Sequence, residues 1–327
     1  MLVGEWMPNT ISQNSQGTFK AVSDSTLSTK VGWWNSLVGG DFDNDGDTDY
    51  IAGNLGLNSV YKATDEQPVS VYAKDFDANQ SYDAFMFSYQ NGADGKKRAY
   101  PMHTLEDMIK QTISMRAKYQ KFEDFADVTL DSLFTEEQLK DAQVLEANYL
   151  QSSYLENTGN GNFKITQLPM EAQFAPMYGM LVDDFDADGN LDVIACGNDF
   201  GTEVSIGRYD ASNGWYLKGD GAGSFKVLSL GESGFFVPKD GKALVQLYDV
   251  NNSPIYIASQ NKGMLKVFSG RSEPKEVKTL GTLDSWGVRT LADGKKRKEE
   301  FYYGSSYLSQ STRKVKVNNL EVKKTTQ

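Results

Sequence analysis

A short acidic phrase is written three times in this chain, and no other feature limits its fold so tightly. Asp41-Phe42-Asp43-Asn44-Asp45-Gly46-Asp47-Thr48-Asp49 recurs as Asp184-Phe185-Asp186-Ala187-Asp188-Gly189-Asn190-Leu191-Asp192, and more loosely as Asp75-Phe76-Asp77-Ala78-Asn79-Gln80-Ser81-Tyr82-Asp83. Oxygen-bearing side chains fall at positions 1, 3, 5 and 9 of each loop, with Gly at position 6 in two copies. Such a pattern suits a hard cation that takes roughly six to eight oxygen ligands, which points to calcium. Without a cation, the same packing sets like charges a few ångströms apart.

The phrase opens like an EF-hand loop, but an EF-hand needs a bidentate Glu at position 12 and helices on both sides. Position 12 is Ala52, Met86 or Ala195, and the flanks read as strand: Ser36-Leu37-Val38-Gly39-Gly40 before the first loop, Tyr50-Ile51-Ala52 and Val193-Ile194-Ala195 after the two full copies. The expectation is calcium held in a β-hairpin, with the ninth Asp closing the shell. Phe at position 2 must face away from its ligand neighbours and anchor the loop in an apolar layer. In the third copy Asn79 and Gln80 replace Asp and Gly, so two sites are expected, with a third at this weaker loop (Asp75, Asp77, Asn79, Ser81, Asp83). Asp249-Val250-Asn251-Asn252-Ser253 reads as an eroded fourth version, weak or empty.

A second signature keeps step with the first: Gly17-Thr18-Phe19, Gly161-Asn162-Phe163 and Gly223-Ser224-Phe225 stand 22, 21 and 24 residues, counted from Phe, before the acidic phrases at 41, 184 and 249. The last two units repeat with a period of 62 to 65 residues, room for four short strands and their turns. The phrases at 41 and 75 are only 34 residues apart, which implies a shortened unit. From 104 to 150 the period changes to that of a helix: Leu105, Met108, Thr112, Met115, Tyr119 and Phe122 share one face. Thr104 with Asp107 and Thr135 with Gln138 mark helix starts, and Phe134 is placed to staple onto Leu139. The reading is a helical hairpin inserted at 104–150, its Met and aromatic stripe packed on the sheets.

With Gly32-Trp33-Trp34-Asn35-Ser36, Gly53-Asn54-Leu55-Gly56-Leu57-Asn58 and Phe301-Tyr302-Tyr303-Gly304-Ser305-Ser306-Tyr307-Leu308-Ser309-Gln310, the chain resembles the FG-GAP or VCBS type of β-propeller repeat found in integrin α-subunits. It is similar to large bacterial repeat proteins related to cartilage acidic protein. The resemblance implies an all-β fold, a single β-propeller domain over 1–327 with about five or six blade-like units and the inserted α-helical hairpin. It implies as calcium ligands Asp41, Asp43, Asp45 and Asp49 with the backbone carbonyl of Asp47, and the matching atoms of Asp184, Asp186, Asp188, Asn190 and Asp192.

Forty-four acidic against 33 basic residues leave a formal charge of −11, which argues against nucleic acid as a partner. Bound cations would reduce that excess. The lone cysteine, Cys196, sits in an apolar run and reads as a buried small hydrophobe. Loops of modest affinity work where calcium is millimolar, so the protein is expected outside the cell, at its surface or in the periplasm. No secretory signal opens the chain and no apolar run is long enough to span a membrane. The first Gly-x-Phe follows only one candidate strand, so the chain reads as starting within a blade, as a piece of a longer exported protein whose other domains are candidate partners.

No nucleophile elbow, zinc-protease helix, P-loop or dinucleotide fingerprint is present. The only histidine, His103, reads as a packing residue at a helix start, so the chain is not expected to be an enzyme. The leading reading is a calcium-stabilised binding or adhesion module for protein or carbohydrate; Trp33, Trp34, Trp215, Tyr302 and Tyr303 are its contact candidates, with packing in the core or between blades the favoured alternative for them. A rigid spacer of a large surface protein and an accessory domain of a polysaccharide-processing enzyme are the alternatives.

Overall fold

Strands around acidic hairpins set the architecture, in a computed structural model that describes residues 1–22, 26–270, 276–304 and 307–324. Ser305 and Ser306 of the aromatic phrase lie outside the described residues. The structure is mostly β, in several small antiparallel sheets with few helices.

Two of the three four-stranded sheets carry the full acidic phrases. The first orders Ser36–Gly40, Asp49–Gly53, Ser153–Asn157 and Phe163–Gln167; the second orders Met177–Asp183, Asp192–Gly197, Trp215–Gly219 and Phe225–Val227. A three-stranded sheet of Gly241–Tyr248, Pro254–Gln260 and Lys266–Ser269 comes next in the chain. In these three sheets the acidic turn joins strands one and two, and Gly-x-Phe opens strand four in the two that have one. The constant spacing is therefore the path from a fourth strand, through the next first strand, to its loop. Phe19 is the second residue of the Thr18–Val22 strand of the N-terminal Ile11–Ser15/Thr18–Val22 hairpin and is exposed. Two strands, Glu5–Pro8 and Ile11–Ser15, precede that signature where the sequence suggests one.

The 34-residue step has a different cause from the shortened unit expected. Strands two and three of the first sheet pair in register, Ala52 with Ser153, Ile51 with Tyr154 and Tyr50 with Leu155, so everything between them is a guest. That guest carries its own four-stranded sheet, ordered Gln143–Ala147, Val69–Lys74, Asp83–Asn91, Lys97–Pro101, and the loop at 75–83 is its hairpin. Its helical part is not one hairpin of two helices. Leu105–Gln111, Met115–Lys118, Phe122–Phe125, Leu130–Leu133 and Glu136–Leu139 are five short helices. The first ends where Thr112 turns extended (φ −126°, ψ 99°), within a β-branched Thr112-Ile113 pair that disfavours helix. Thr104 and Thr135 cap as expected, accepting from the N–H of Asp107 and Gln138. Met108, Met115, Tyr119, Leu133 and Phe134 are buried against Phe85 and Phe87 of the guest sheet. Phe122 instead points to solvent.

The first strands Ser36–Gly40, Met177–Asp183 and Gly241–Tyr248 pack side by side, and a C-terminal sheet ordered Lys296–Glu300, Asp284–Thr290, Leu320–Lys324 sets its Lys296–Glu300 strand against Ser36–Gly40. These strands and the segment from Gln310 to Lys316 surround a cavity of about 430 Å³. Phe42 anchors the first loop between Tyr154 and Phe225 at ring separations of 6.1 and 5.3 Å, Phe185 packs on Tyr216 and Tyr256, and Phe76 stacks on Phe134. Among the described residues no helix is long and apolar enough to cross a membrane.

Phe42 is 2% exposed and Phe19 is 70% exposed. Phe42→Ala should therefore cost about 3–5 kcal/mol of unfolding free energy, and Phe19→Ala less than about 0.5 kcal/mol. Urea denaturation of the two variants checks the ordering, and equal losses would contradict the anchor.

Candidate metal centres

All three acidic loops adopt one backbone course. Position 4 is left-handed in each (Asn44 φ 60°, Ala78 60°, Ala187 65°), and so is position 6 (Gly46 97°, Gln80 70°, Gly189 97°). Gly bears that conformation without strain, whereas Gln80 does not. The first carboxylate is tied down by the loop itself: Gly46, Gln80 and Gly189 N–H donate to Oδ2 of Asp41, Asp75 and Asp184 at 3.1, 2.8 and 3.1 Å. The N–H at position 7 donates back to the side chain at position 5, from Asp47 to Asp45, Ser81 to Asn79 and Asn190 to Asp188.

This curl brings carboxylate oxygens together. Asp41, Asp43 and Asp45 form one cluster, Asp184, Asp186 and Asp188 a second, and Asp75, Asp77 and Asp83 a third, each with oxygens within 4.8 Å of one another. Asp47 is exposed and offers the loop its backbone, while Asn190 Oδ1 faces Asn44 Nδ2 at 3.5 Å, across from the first loop. Asp184 Oδ1 and Asp77 Oδ1, each belonging to a cluster, are buried acceptors with no donor to meet them. A cation would supply what they lack, so the all-oxygen donor set fits calcium or another hard divalent ion.

The ninth residues of the two full loops stand apart from the clusters. Asp49 Oδ2 accepts from the Phe42 N–H and the Tyr154 hydroxyl, and Oδ1 from the Asn157 N–H, at 3.1, 2.8 and 2.8 Å. Asp192 repeats this with Phe185, Tyr216 and Gly219 at 3.3, 2.8 and 3.0 Å. Each is a buried latch between its loop and the third strand, with lone pairs to spare for a metal. Tyr154 and Tyr216 are not among the sequence candidates. The signal that finds them is the alignment of Ser153-Tyr154-Leu155-Glu156-Asn157 with Trp215-Tyr216-Leu217-Lys218-Gly219.

Burial raises Asp49 and Asp192 to about 6, against the donors that favour their charge. Burial, reinforced by neighbouring carboxylates, also raises Asp41 and Asp43. Asp184 is raised by burial, with Asp183 adding to it. Asp188 differs: burial acts against its charge, but a hydrogen bond from Lys218 and the Asn190 N–H outweigh it and hold the carboxyl below its ordinary range.

The C-terminal sheet touches both full loops. Lys298 N–H donates to Asp41 Oδ2 at 2.9 Å and Arg297 Nη1 to the Gly189 carbonyl at 2.6 Å. The shorter Asp249 turn closes on itself, with Asp249 Oδ1 accepting from Asn251 and Ser253 N–H.

Most aromatic candidates are packing residues. Trp33 lies edge-on to Trp6 and Tyr61, Trp34 is buried and stacked on Tyr149, and buried Trp215 donates from Nε1 to the Glu171 carbonyl. Tyr302 and Tyr303 remain exposed, the latter under the Arg313 guanidinium at 4.0 Å. Cys196 is a buried free thiol. His103 Nε2 accepts the Met86 N–H at 3.1 Å, a structural bond that requires the neutral ring.

A family model described as an FG-GAP-like repeat matches residues 1–52, a stretch that contains the first acidic loop and most of both strands of its hairpin. No curated protein matches the chain.

Asp49→Asn replaces one accepting oxygen with an NH2 that must face at least one of the three donors. It should destabilise the fold by about 1–3 kcal/mol, as should Asp192→Asn, while exposed Asp47→Asn should change stability by less than about 0.5 kcal/mol; urea titration checks this ranking. A pH effect arises from His103. Burial lowers its folded pKa below 6.5, with only partial opposition from Glu203 and Asp107. As pH falls through about 6.5 the unfolded chain takes the proton first, so this stability is present above that pH and lost below it. Comparing unfolding at pH 7.5 and 5.5, His103→Gln should show the smaller drop.

Proposed function

We propose that this chain is a calcium-binding, non-catalytic module of the FG-GAP/VCBS propeller type, working outside the cytosol, where the ions stiffen a seam between sheets and the adjoining face receives a protein or carbohydrate partner. The observation that carries the reading is the pair of carboxylate clusters at 41–45 and 184–188, held in the same loop geometry and both bonded to the C-terminal sheet. Asp41, Asp43 and Asp45, and Asp184, Asp186 and Asp188, would hold the ions, with the Asp47 carbonyl, Asn190 and the latches Asp49 and Asp192 completing the shells. The Asp75 cluster is the third and weaker candidate, because Asn79 removes a charge and Gln80 strains the turn.

The first-strand arrangement around one cavity supports a propeller, and the FG-GAP-like match supports an adhesion or scaffold role. Tyr302 on the rim of that cavity and its exposed neighbour Tyr303 are the remaining aromatic contacts for a partner. Calcium here is structural: binding the folded state alone stabilises it by about 2.7 kcal/mol per site at a hundredfold excess over Kd. His103 is committed to its backbone bond, which favours the non-catalytic reading.

Elemental analysis should find two or three calcium ions per chain, and excess chelator should lower the melting temperature by several degrees. Hydrogen exchange at Lys296–Glu300 should accelerate with it. Metal-free protein whose melting point ignores both calcium and chelator would remove the calcium reading.

A further inference from the structure

The third strands of the two sheets that carry the full acidic phrases match residue by residue. Tyr154 and Tyr216 hydroxyls bond the latch carboxylates, and so do Asn157 and Gly219 N–H. Of the two residues between those contacts the first is leucine in both sheets, Leu155 and Leu217, and the second is Glu156 in one and Lys218 in the other. The fourth-strand residue opposite is a lysine in both, Lys164 and Lys226. The sheets thus differ at this point by the sign of one side chain.

That sign falls on the loops. Lys218 Nζ bonds Asp186 Oδ2 and lies 2.9 Å from Asp188 Oδ2, two of the three carboxylates of the second cluster. Glu156 is paired with Lys164 at 2.7 Å and adds its negative charge to the field at Asp43. The first cluster therefore has no cation of its own and faces a lysine-paired carboxylate, whereas the second holds a tethered cation.

Resting on the calcium reading above, we propose that Lys218 sets the affinity of the second site, making the two loops unequal. Loop 41–49 presents its whole charge to an incoming ion, whereas loop 184–192 binds one only by drawing Asp186 and Asp188 away from the ammonium. The sites fill in order, the first at lower calcium. Lys218 also offsets one of the second cluster's three carboxylate charges when calcium is scarce, so that loop keeps more of its shape than the first.

Calorimetric titration of the decalcified full chain with calcium chloride tests this. Wild type should show two classes of site separated by at least about tenfold in Kd, since ligand charge tunes such loops. Asp186→Asn should remove the Lys218-linked site from the weak class, and Asp43→Asn should remove the strong site. Lys218→Gln should tighten the weak class by about tenfold and leave the strong class unchanged, while Lys218→Arg, which keeps the charge, should preserve the gap. Equal affinities in wild type, or a weak class indifferent to Lys218→Gln, would overturn the proposal and leave calcium binding standing. No calcium uptake by wild type or by Lys218→Gln would overturn the calcium reading itself.

Discussion

The interaction on which the rest depends is the buried carboxylate that ends each full loop. Asp49 and Asp192 are both fully buried, and each gathers a loop N–H, a tyrosine hydroxyl and a third-strand N–H. An ionised group in such a place is costly unless its lone pairs are engaged, and these donors engage them. The result is a hairpin that cannot shift against its third strand. The carboxylates at positions 1, 3 and 5 are then presented in a fixed curl. The guest sheet shows the consequence of a thinner latch. There Lys97–Pro101 pairs with Phe87–Asn91, at the far end from the loop, and Asp83 takes the Phe76 N–H and joins the acidic cluster instead.

The parts of this fold legible in sequence are those written locally. The three loops and their Phe anchors are set by turn geometry and period-two burial within a few residues, and the structure places them as that reasoning requires. The guest escapes such reasoning because its boundaries are set by pairing across the chain: the Tyr154 hydroxyl meets Asp49 across 105 residues, and no local pattern announces that. A shortened unit and an inserted sheet give the same spacing between loops. The helical stripe reads as longer helices because an apolar period survives a break; Thr112 and Ile113 end the first helix while Met115 and Tyr119 still reach the same core. The tryptophans are of a type suited to ligands, but burial is a property of the assembled sheets, and it assigns Trp34 and Trp215 to packing.

Net charge misleads here if taken as a property of the surface. Much of the −11 is gathered in the loops, and the cations nearest to them are placed one by one rather than spread as a screen. Arg297 is almost wholly buried, yet it spans from the Gly189 carbonyl to Glu299, and Arg289 completes that group with Glu299 at 2.5 Å. These pairs fix the C-terminal sheet to the loop backbone and leave most loop carboxylate charge uncancelled. The exception is Lys218, whose ammonium sits on the second cluster itself.

Where the loops sit decides what an ion could do. Asn44 Nδ2 reaches the Gly221 carbonyl and Asn190, so the first loop touches the second sheet; Lys298 and Arg297 carry both loops to the C-terminal sheet. The acidic curls are thus corners where three sheets meet, and not decorations on separate hairpins. Repulsion among Asp41, Asp43 and Asp45 would be relieved by opening the curl, and opening it would pull Asp41 from the Lys298 N–H and Asn44 from Gly221. A cation in the curl removes that strain at its source. Its stabilisation would then be felt first in how the sheets sit against one another, and so in the rim of the cavity they enclose.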